Sequence, residues 1–284
     1  NVEGELNADS SAKRDVFGGI AGAQFGLIDS CNVELTAANT SDAEQYGNIS
    51  HWGGGISGSL TGGIIRNCTA KVELYNRTVG ALKCFGGIVG YTLRGGGIEN
   101  CTVKAGTIIN DTKSTSYSVG GVAGAMTSDR TAGETLSYMD GCTVELGVIV
   151  RGTNLAGGLS GYGTLITNCR TGASVYLNEG KSGAVFRGSP QTVGEEGVSN
   201  CYYYGKYIQS SDQLESGNVT NCYYAFVGDT PETGSADGSL HTREGLMRVT
   251  EAQIASGEVA YLLDGGKPDG TEPDNLNHAW TQGE

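Results

Sequence analysis

The chain has 284 residues, of which 48 are glycine and 4 are proline, and it carries a formal net charge of −13 with a pI near 4.6. Abundant glycine with scarce proline argues against a disordered linker, which would be rich in both residues. The acidic charge and the lack of any Lys/Arg-rich run argue against a nucleic-acid-binding protein, because such a surface repels phosphate backbones.

A glycine-rich block recurs along the chain. It reads Gly-Gly-aliphatic-x-Gly, with clean copies that begin at Gly18, Gly54, Gly86, Gly120 and Gly157 and a degraded copy, SGAVF, that begins at Ser182. The clean copies start 36, 32, 34 and 37 residues apart. A period of this length indicates stacked structural repeats.

A second block follows each glycine block and contains a cysteine. An aliphatic residue, two further residues and Cys precede a run in which apolar and polar residues alternate. This alternation, bounded by Gly and Asn turn signals, predicts two or three short strands in each repeat. Helical repeats are excluded, since each interior glycine destabilises a helix by about 1 kcal/mol.

One such repeat cannot bury its apolar face alone, whereas stacked repeats bury a continuous core. The sequence therefore predicts an all-β fold, a repeat β-solenoid that is parallel β-helix-like, over residues 1–245. Each repeat spans about 33 residues, and the repeats become shorter and less regular after Ala173.

Residues 246–284 are predicted to form a short C-terminal α-helical cap and tail. Thr250, followed three positions later by Gln253, has the pattern of a capping box. Apolar residues continue at helical spacing up to Gly265, where glycine ends the helix. A solenoid needs such a cap because an open end presents unpaired strand edges. The N-terminal end has no comparable cap, and we expect the chain to be a piece of a larger polypeptide.

Seven of the eight cysteines occupy the same position in successive repeats: Cys31, Cys68, Cys101, Cys142, Cys169, Cys201 and Cys222. Equivalent positions in a solenoid stack about 4.8 Å apart, and inward-facing thiols behave as small hydrophobes. Parallel Cβ vectors do not supply the dihedral angle near 90° of a disulfide. We therefore predict a column of buried, reduced, structural thiols. Cys84 lies outside this column and is also predicted to pack in the interior.

Neither a metal site nor a catalytic cysteine is predicted. The chain has no CxxC motif, and His51, His241 and His278 are not at ligand spacing from any cysteine. A nucleophilic thiol needs a neighbouring base and a depressed pKa, whereas seven equivalent cysteines favour packing. The glycine blocks also differ from the single GxGxxG of a dinucleotide site, so no cofactor is expected.

Two further groups of residues keep functional alternatives open. Paired carboxylates can hydrolyse polysaccharides, and acidic pairs occur here as Asp42 with Glu44, Asp129 with Glu134, and Glu195 with Glu196. We favour the interpretation that these carboxylates are solvated charges in loops, and we assign no catalytic residue. The tyrosines near the C-terminus either form an exposed strip that contacts a glycan or a protein, or close the core, and we favour the core. They are Tyr202, Tyr203, Tyr204, Tyr207, Tyr223 and Tyr224.

The blocks GGLSG and ITNC, the NCYY variants and the closing SGEVAYLLDGG segment resemble the bacterial repeats called the GLUG motif, over roughly residues 16–266. Such repeats occur in large bacterial surface and secreted proteins, including regions of some IgA-cleaving peptidases outside the protease domain. The closing helix is similar to those that follow such repeats in surface proteins of gut Firmicutes. The resemblance implies a β-solenoid stalk or adhesin module and supplies no catalytic residues.

Together these features predict a non-enzymatic structural or adhesive module, a stalk or adhesin, of a larger bacterial surface protein. We expect it to be extracellular, either attached to the cell surface or secreted, and monomeric, with a host or microbial glycan or protein as its partner. A polysaccharide-active β-helix enzyme and a glycan-binding module that uses the tyrosine-rich strip remain as alternatives. No apolar run reaches the roughly 18 residues needed to span a bilayer, so no membrane span is predicted in this segment.

Overall fold

A computed structural model of the chain describes residues 2–8, 14–39, 50–76, 81–111, 116–127, 135–163, 165–177, 185–186, 197–209, 218–230, 232, 244–266 and 280. Within these residues the chain consists mainly of short strands, and helices occur near the C-terminus. None of the helices in this part of the chain is long and apolar enough to cross a membrane.

Numbered in chain order, the strands are β1 (Val2–Ala8), β2 (Arg14–Gly18), β3 (Ala21–Gln24), β4 (Leu27–Asp29), β5 (Asn32–Asn39), β6 (Ser50–Gly54), β7 (Ser57–Thr61), β8 (Ile64–Arg66), β9 (Thr69–Asn76), β10 (Ala81–Gly86), β11 (Val89–Leu93), β12 (Gly97–Glu99), β13 (Thr102–Val103), β14 (Ile108–Asp111), β15 (Ser116–Gly120), β16 (Ala123–Met126), β17 (Tyr138–Asp140), β18 (Thr143–Val144), β19 (Ile149–Gly152), β20 (Leu155–Gly157), β21 (Ser160–Tyr162), β22 (Leu165–Thr167), β23 (Arg170–Thr171), β24 (Ser174–Leu177), β25 (Gly197–Ser199), β26 (Tyr202–Gly205), β27 (Asn218–Thr220), β28 (Cys222–Phe226) and β29 (Leu246–Arg248). A 3-10 turn at Val227–Asp229 precedes β29, and the helices α1 (Glu251–Ala255) and α2 (Glu258–Leu263) follow it.

The strands form four sheets, and strands of successive repeats pair in parallel. Sheet A contains β1, β5, β9, β13, β14, β18, β19, β23, β24, β26, β28 and β29; sheet B contains β2, β6, β10, β15 and β20; sheet C contains β3, β7, β11, β16 and β21; and sheet D contains β4, β8, β12, β17, β22, β25 and β27. One coil of the solenoid passes through sheets B, C, D and A in that order, as β2, β3, β4 and β5 do first. The predicted all-β, parallel β-helix-like solenoid is thus confirmed.

The glycine block forms the corner between sheets B and C. Gly87, the second glycine of its block, donates its N–H to the carbonyl oxygen of Gly121 in the next coil at 3.0 Å. A Cβ on Gly87 would lie 2.3 Å from that oxygen, and one on Gly55 would lie 2.2 Å from the carbonyl oxygen of Gly87. Glycine is therefore required here because the backbones of successive coils approach too closely for any side chain.

The residue before each column cysteine turns the chain from sheet D into sheet A. It has a left-handed backbone, with φ between 50° and 64°, at Ser30, Asn67, Asn100, Gly141, Asn168, Asn200 and Asn221. Asparagine visits this region more readily than most residues because its short side chain can bond locally. The amides also bond along the outside of the stack: Asn221 Nδ2 donates to Asn200 Oδ1 at 2.9 Å. We call this set of residues the corner column.

The seven repeat cysteines form the predicted column beside this corner. Six of them are buried, and Cys31 in the first coil is half-buried. The N–H of Cys142 donates to Sγ of Cys169 at 3.2 Å, and the N–H of Cys169 donates to Sγ of Cys201 at 3.3 Å. Each thiol also lies 3.0–3.5 Å from the carbonyl oxygen two residues earlier. All eight cysteines carry free thiols, and Cys84 is buried as predicted.

One hydrophobic core runs along the described solenoid from Phe17 to Leu246. The rings of Phe17 and Phe85, two coils apart, meet across Gly53 with their centroids 6.0 Å apart. Because alternate residues of a strand point to opposite faces, the strands that fill this core also present an outward-facing set of side chains. That outer set changes from coil to coil on sheet A.

The segment assigned to the cap begins as a strand. Leu246–Arg248 form β29, which pairs in parallel with β28 and so extends sheet A. The predicted capping box is present, since Thr250 Oγ1 accepts the N–H of Gln253 at 3.2 Å and Gln253 Oε1 accepts the N–H of Thr250 at 3.0 Å. The single predicted helix is replaced by two, because Gly257, with φ of 82°, separates α1 from α2.

The two helices pack against the outer face of sheet A. Val259, Leu262 and Leu263 of α2 form one apolar cluster with Tyr223 and Ala225 of β28. The neighbours of those strand residues, Tyr224 and Phe226, belong instead to the main core. The helical segment therefore packs on the outer face of sheet A beside the last coils.

Candidate functional site: a groove on the outer face of sheet A

The outward-facing residues of sheet A lose their regularity between the third and sixth coils. The column that starts each sheet A strand reads Asn32, Thr69, Thr102, Thr143, Arg170, Tyr202 and Tyr223 in parallel register. The first four residues of this column are thus uncharged and polar, whereas the next three carry a guanidinium group and two phenol rings. Residues that break a repeat in this way are candidates for function, because the fold does not require them.

A first hollow lies two residues further along the same strands. There Glu145, Gly172 and Tyr204 are neighbours on successive coils, and glycine is required at 172 because a Cβ would lie 2.8 Å from the backbone nitrogen of Leu146. Backbone register is kept, since Gly172 donates its N–H to the carbonyl oxygen of Val144 at 2.8 Å. The hollow has a volume of about 180 Å³, with Leu146 and Tyr204 on its walls.

A second hollow lies at the corner column. Gly141 occupies the position that asparagine holds in the coils before and after it, and its φ is 64°. A Cβ at Gly141 would lie 2.3 Å from Oδ1 of Asn100. The hollow has a volume of about 360 Å³, and Asn100, Asp140, Asn168 and Trp280 are among its lining residues.

The two hollows join into one groove. Both are lined by Thr143 and Arg170, and Arg170 Nε donates to Thr143 Oγ1 at 3.0 Å. Tyr202 lines the first hollow and Trp280 lines the second, with their ring centroids 5.5 Å apart and their planes at 63°. The backbone N–H of Trp280 donates to Asp264 Oδ1 at 2.9 Å, and this bond fixes the position of the residue. We call this surface the sheet A groove.

Several polar atoms of the groove are left to bind something else. Oδ1 of Asp140 accepts hydrogen bonds from Thr167 Oγ1 at 2.7 Å and Asn168 Nδ2 at 2.8 Å. Among the described residues, Asp140 Oδ2 and the terminal nitrogens of Arg170 have no hydrogen-bond partner. Within the same residues, Nε1 of Trp280 is buried without an acceptor. Because this nitrogen is buried, it is not exposed to a ligand in the groove.

Glu145, the second carboxylate of the groove, is committed to other partners. It accepts from Lys104 Nζ at 2.8 Å and from the N–H of Ala105 at 2.9 Å. Partial burial opposes its ionisation, but these hydrogen bonds outweigh burial and lower the pKa of the Glu145 carboxyl. Glu145 is therefore an ionised structural group on the groove wall.

The residues singled out from the sequence contribute little to this groove. Tyr203 and Tyr224 are fully buried in the core and Tyr223 is buried under α2, so the NCYY tyrosines do not form an exposed ladder. Tyr207 stacks on Tyr176 at a centroid distance of 4.5 Å. Of this strip, Tyr202 and Tyr204 line the groove.

The acidic pairs and the histidine side chains singled out from the sequence lie outside the described residues. This holds for all six carboxylates of those pairs, for His241 and His278, and for the side chain of His51. Among the described residues, no group of three His, Cys, Asp or Glu side chains is placed to hold a metal ion.

Sequence reasoning missed Gly141, Arg170, Gly172 and Trp280. Gly141 and Arg170 carried a usable signal, because each departs from the residue type that the preceding repeats place in the same column.

Comparison with known families identifies one coil of the solenoid. The model of the GLUG motif matches residues 81–109, which include β10 to β13 and the start of β14. No curated protein and no solved structure matches the chain. The matched coil contains one glycine block and one corner asparagine with its cysteine, so the chain contains a GLUG motif, and that motif corresponds to one turn of the parallel solenoid.

Proposed function

We propose that this chain is a non-enzymatic structural and adhesive module, a stalk or adhesin, of a larger bacterial surface protein. Its place is extracellular, either attached to the cell surface or secreted. Its GLUG repeats resemble those of bacterial surface proteins, and this resemblance supports the bacterial and cell-surface part of the proposal. The module works as a monomer, and its partner is a host or microbial glycan or protein.

The observation that carries the structural role is the continuity of the stack. Each coil bonds to the next through backbone pairs in all four sheets of the first five coils, and the corner and cysteine columns add side-chain contacts along the same axis. A stack held by such repeated ladders bends little, because bending would stretch many parallel bonds together. The core therefore needs no partner to hold its shape.

The adhesive role depends on the outer face. A rod that only separated two domains could repeat one set of surface residues, whereas the sheet A groove interrupts the repeat with Arg170, Tyr202 and Trp280. Aromatic and arginine side chains are the residues most enriched at binding surfaces. The groove therefore favours a binding module over a simple spacer.

A polysaccharide-cleaving enzyme is the second candidate, because the groove contains the carboxylates Asp140 and Glu145. Glycoside hydrolysis requires one carboxyl that stays protonated to act as the general acid. The hydrogen bonds from Lys104 and Ala105 lower the pKa of Glu145 instead. We therefore favour binding without cleavage.

The proposal is tested with beads coated with the whole chain and presented to epithelial cells, mucin, bacterial polysaccharides and an albumin control. The expected result is adhesion to at least one biological surface above albumin, with no release of reducing ends from any polysaccharide. Adhesion to none of these surfaces would contradict the adhesive role. Reproducible cleavage that is lost in Asp140→Asn or Glu145→Gln would establish the enzyme instead.

A further inference from the structure

We propose that the sheet A groove binds a neutral saccharide and holds two adjacent sugar units, one in each hollow. This inference deepens the adhesive role proposed above and rests on it. It concerns a different surface from the NCYY strip, whose core-facing rings are buried. Four observations carry it: the interruption of the corner column at Gly141, the aromatic walls, the unused polar atoms and the balance of charge.

Glycine in the corner column contributes to the shape of the larger hollow. Gly141, which lines that hollow, interrupts the column of asparagines while the backbone stays bonded to its neighbour, with Gly141 N–H donating to Thr167 O at 3.2 Å. The hollows of about 360 Å³ and 180 Å³ share Thr143 and Arg170. Two joined hollows of this size fit two linked small rings better than one extended peptide strand.

The walls supply apolar contact of the kind sugars use. A pyranose ring has a face of C–H groups that packs on an aromatic ring and an edge of hydroxyls that needs hydrogen bonds. Trp280 lines the larger hollow, and Tyr202 and Tyr204 line the smaller one. Since the planes of Tyr202 and Trp280 differ by 63°, the two rings suit two sugar units of different orientation.

The polar atoms match hydroxyl groups. Each hydroxyl both donates and accepts, so its site needs acceptors and donors side by side. Asp140 Oδ2 is an acceptor and the terminal nitrogens of Arg170 are donors, none with a partner among the described residues. Asn100 adds an amide that lines the same hollow.

Charge points to a neutral ligand. Arg170 is opposed by Asp140 in the larger hollow, and Glu145 is paired with Lys104 at the smaller one. The groove is thus close to neutral within a chain of net charge −13, which repels polyanions at long range. Sulfated and uronic acid chains are therefore disfavoured.

The test uses the full chain and measures binding of neutral mono- to tetrasaccharides of glucose, mannose, galactose and N-acetylglucosamine by calorimetry. Matched uronic acid and sulfated oligosaccharides are measured alongside. We expect at least one neutral series to bind, with affinity rising from one sugar to two and then levelling. Binding of anionic sugars alone, or of no sugar, would overturn the proposal.

The decisive variant is Gly141→Asn, which restores the residue that the corner column carries at Asn100 and Asn168 and so keeps the fold while filling the gap. We expect it to weaken binding at least tenfold with an unchanged melting temperature. Arg170→Ala should weaken binding similarly, whereas Arg151→Ala on another part of sheet A should not. Equal binding by wild type, Gly141→Asn and Arg170→Ala would place the sugar elsewhere and refute the proposal.

The failure of this inference is distinct from failure of the adhesive role. If the coated beads adhere to cells stripped of surface glycans as well as to untreated cells, the saccharide proposal is wrong while adhesion stands. If the beads adhere to neither, the adhesive role itself is wrong.

Discussion

Raising the pH above 9 under reducing conditions is expected to destabilise the solenoid steeply. Burial raises the pKa of the Cys84 thiol to about 12 and raises the pKa values of Cys142, Cys169 and Cys201 well above 9.0. In the unfolded chain these thiols ionise near their ordinary value, whereas in the folded chain they stay protonated. Their contribution to stability is therefore complete below pH 9 and is lost progressively as the pH rises toward the folded pKa values.

The size of the effect follows from proton linkage. Each thiol that is ionised only in the unfolded state lowers the free energy of unfolding by about 1.4 kcal/mol per pH unit. Four such thiols together give roughly 5 kcal/mol per unit. A typical domain is stable by only about 5–15 kcal/mol, so the solenoid should unfold within one to three units above pH 9.

The assay is urea unfolding followed by far-ultraviolet circular dichroism at pH 8.0, 9.0, 9.5 and 10.0 with a phosphine reductant. Because tyrosines and lysines also titrate in this range, the informative quantity is the change in slope caused by Cys84→Ala. That variant removes one buried thiol outside the column and should reduce the slope by about 1.4 kcal/mol per pH unit. An identical slope in wild type and Cys84→Ala, or stability that does not fall between pH 9 and 10, would refute the reasoning.

Four further results are expected. Gly87→Ala should destabilise the fold by about 1–3 kcal/mol in urea unfolding because its Cβ meets a carbonyl oxygen of the next coil, whereas Gly26→Ala, with open space around it, should change stability little. Asn200→Ala should cost about 1 kcal/mol more than Asn200→Gly, since φ is 52° there. Thr250→Ala should lower stability by about 1 kcal/mol through loss of the capping box. Thiol titration in denaturant without reductant should detect most of the eight cysteines, and two or fewer would contradict the column of free thiols.

The coil, the core and the thiol column were predictable because they repeat. A period shared by the glycine blocks and the cysteines fixes which residues are equivalent, and equivalent residues stack in any solenoid. Period alone did not reveal that Asn67 and its equivalents adopt a left-handed backbone at the sheet D to sheet A corner. The Asn-Cys pair was visible in five of the seven repeats, but its conformation depends on the sharpness of the turn into the next sheet.

The C-terminal helices show how tertiary packing modifies a local pattern. The capping box at Thr250 depends on four consecutive residues and formed as predicted. The apolar spacing suggested one continuous helix, but Gly257 with φ of 82° breaks it. The break lets α2 turn its buried residues onto Tyr223, a target on another part of the chain that local spacing cannot identify.

The sheet A groove could not be assembled from the sequence because its coils differ in length. Lys104 meets Glu145 across 41 residues, whereas Cys142 meets Cys169 across only 27. Loops of such different lengths hide which outward residues lie side by side, even when the cysteines are aligned. Trp280 comes from a segment with no repeat pattern at all, and its position beside Tyr202 is set by the fold of the C-terminal helices.

The groove also shows how a solenoid can acquire a site without losing its regular stack. A column of like side chains fills its own surface, so a hollow requires one member to be absent. Glycine at 141 removes the side chain of the corner column but keeps the N–H that bonds to Thr167 of the neighbouring coil. Glycine at position 141, where neighbouring coils have asparagine, also readily adopts the left-handed backbone of the corner. Since inward and outward residues alternate, the thiol column beneath is undisturbed, and the binding surface can change while the core stays the same.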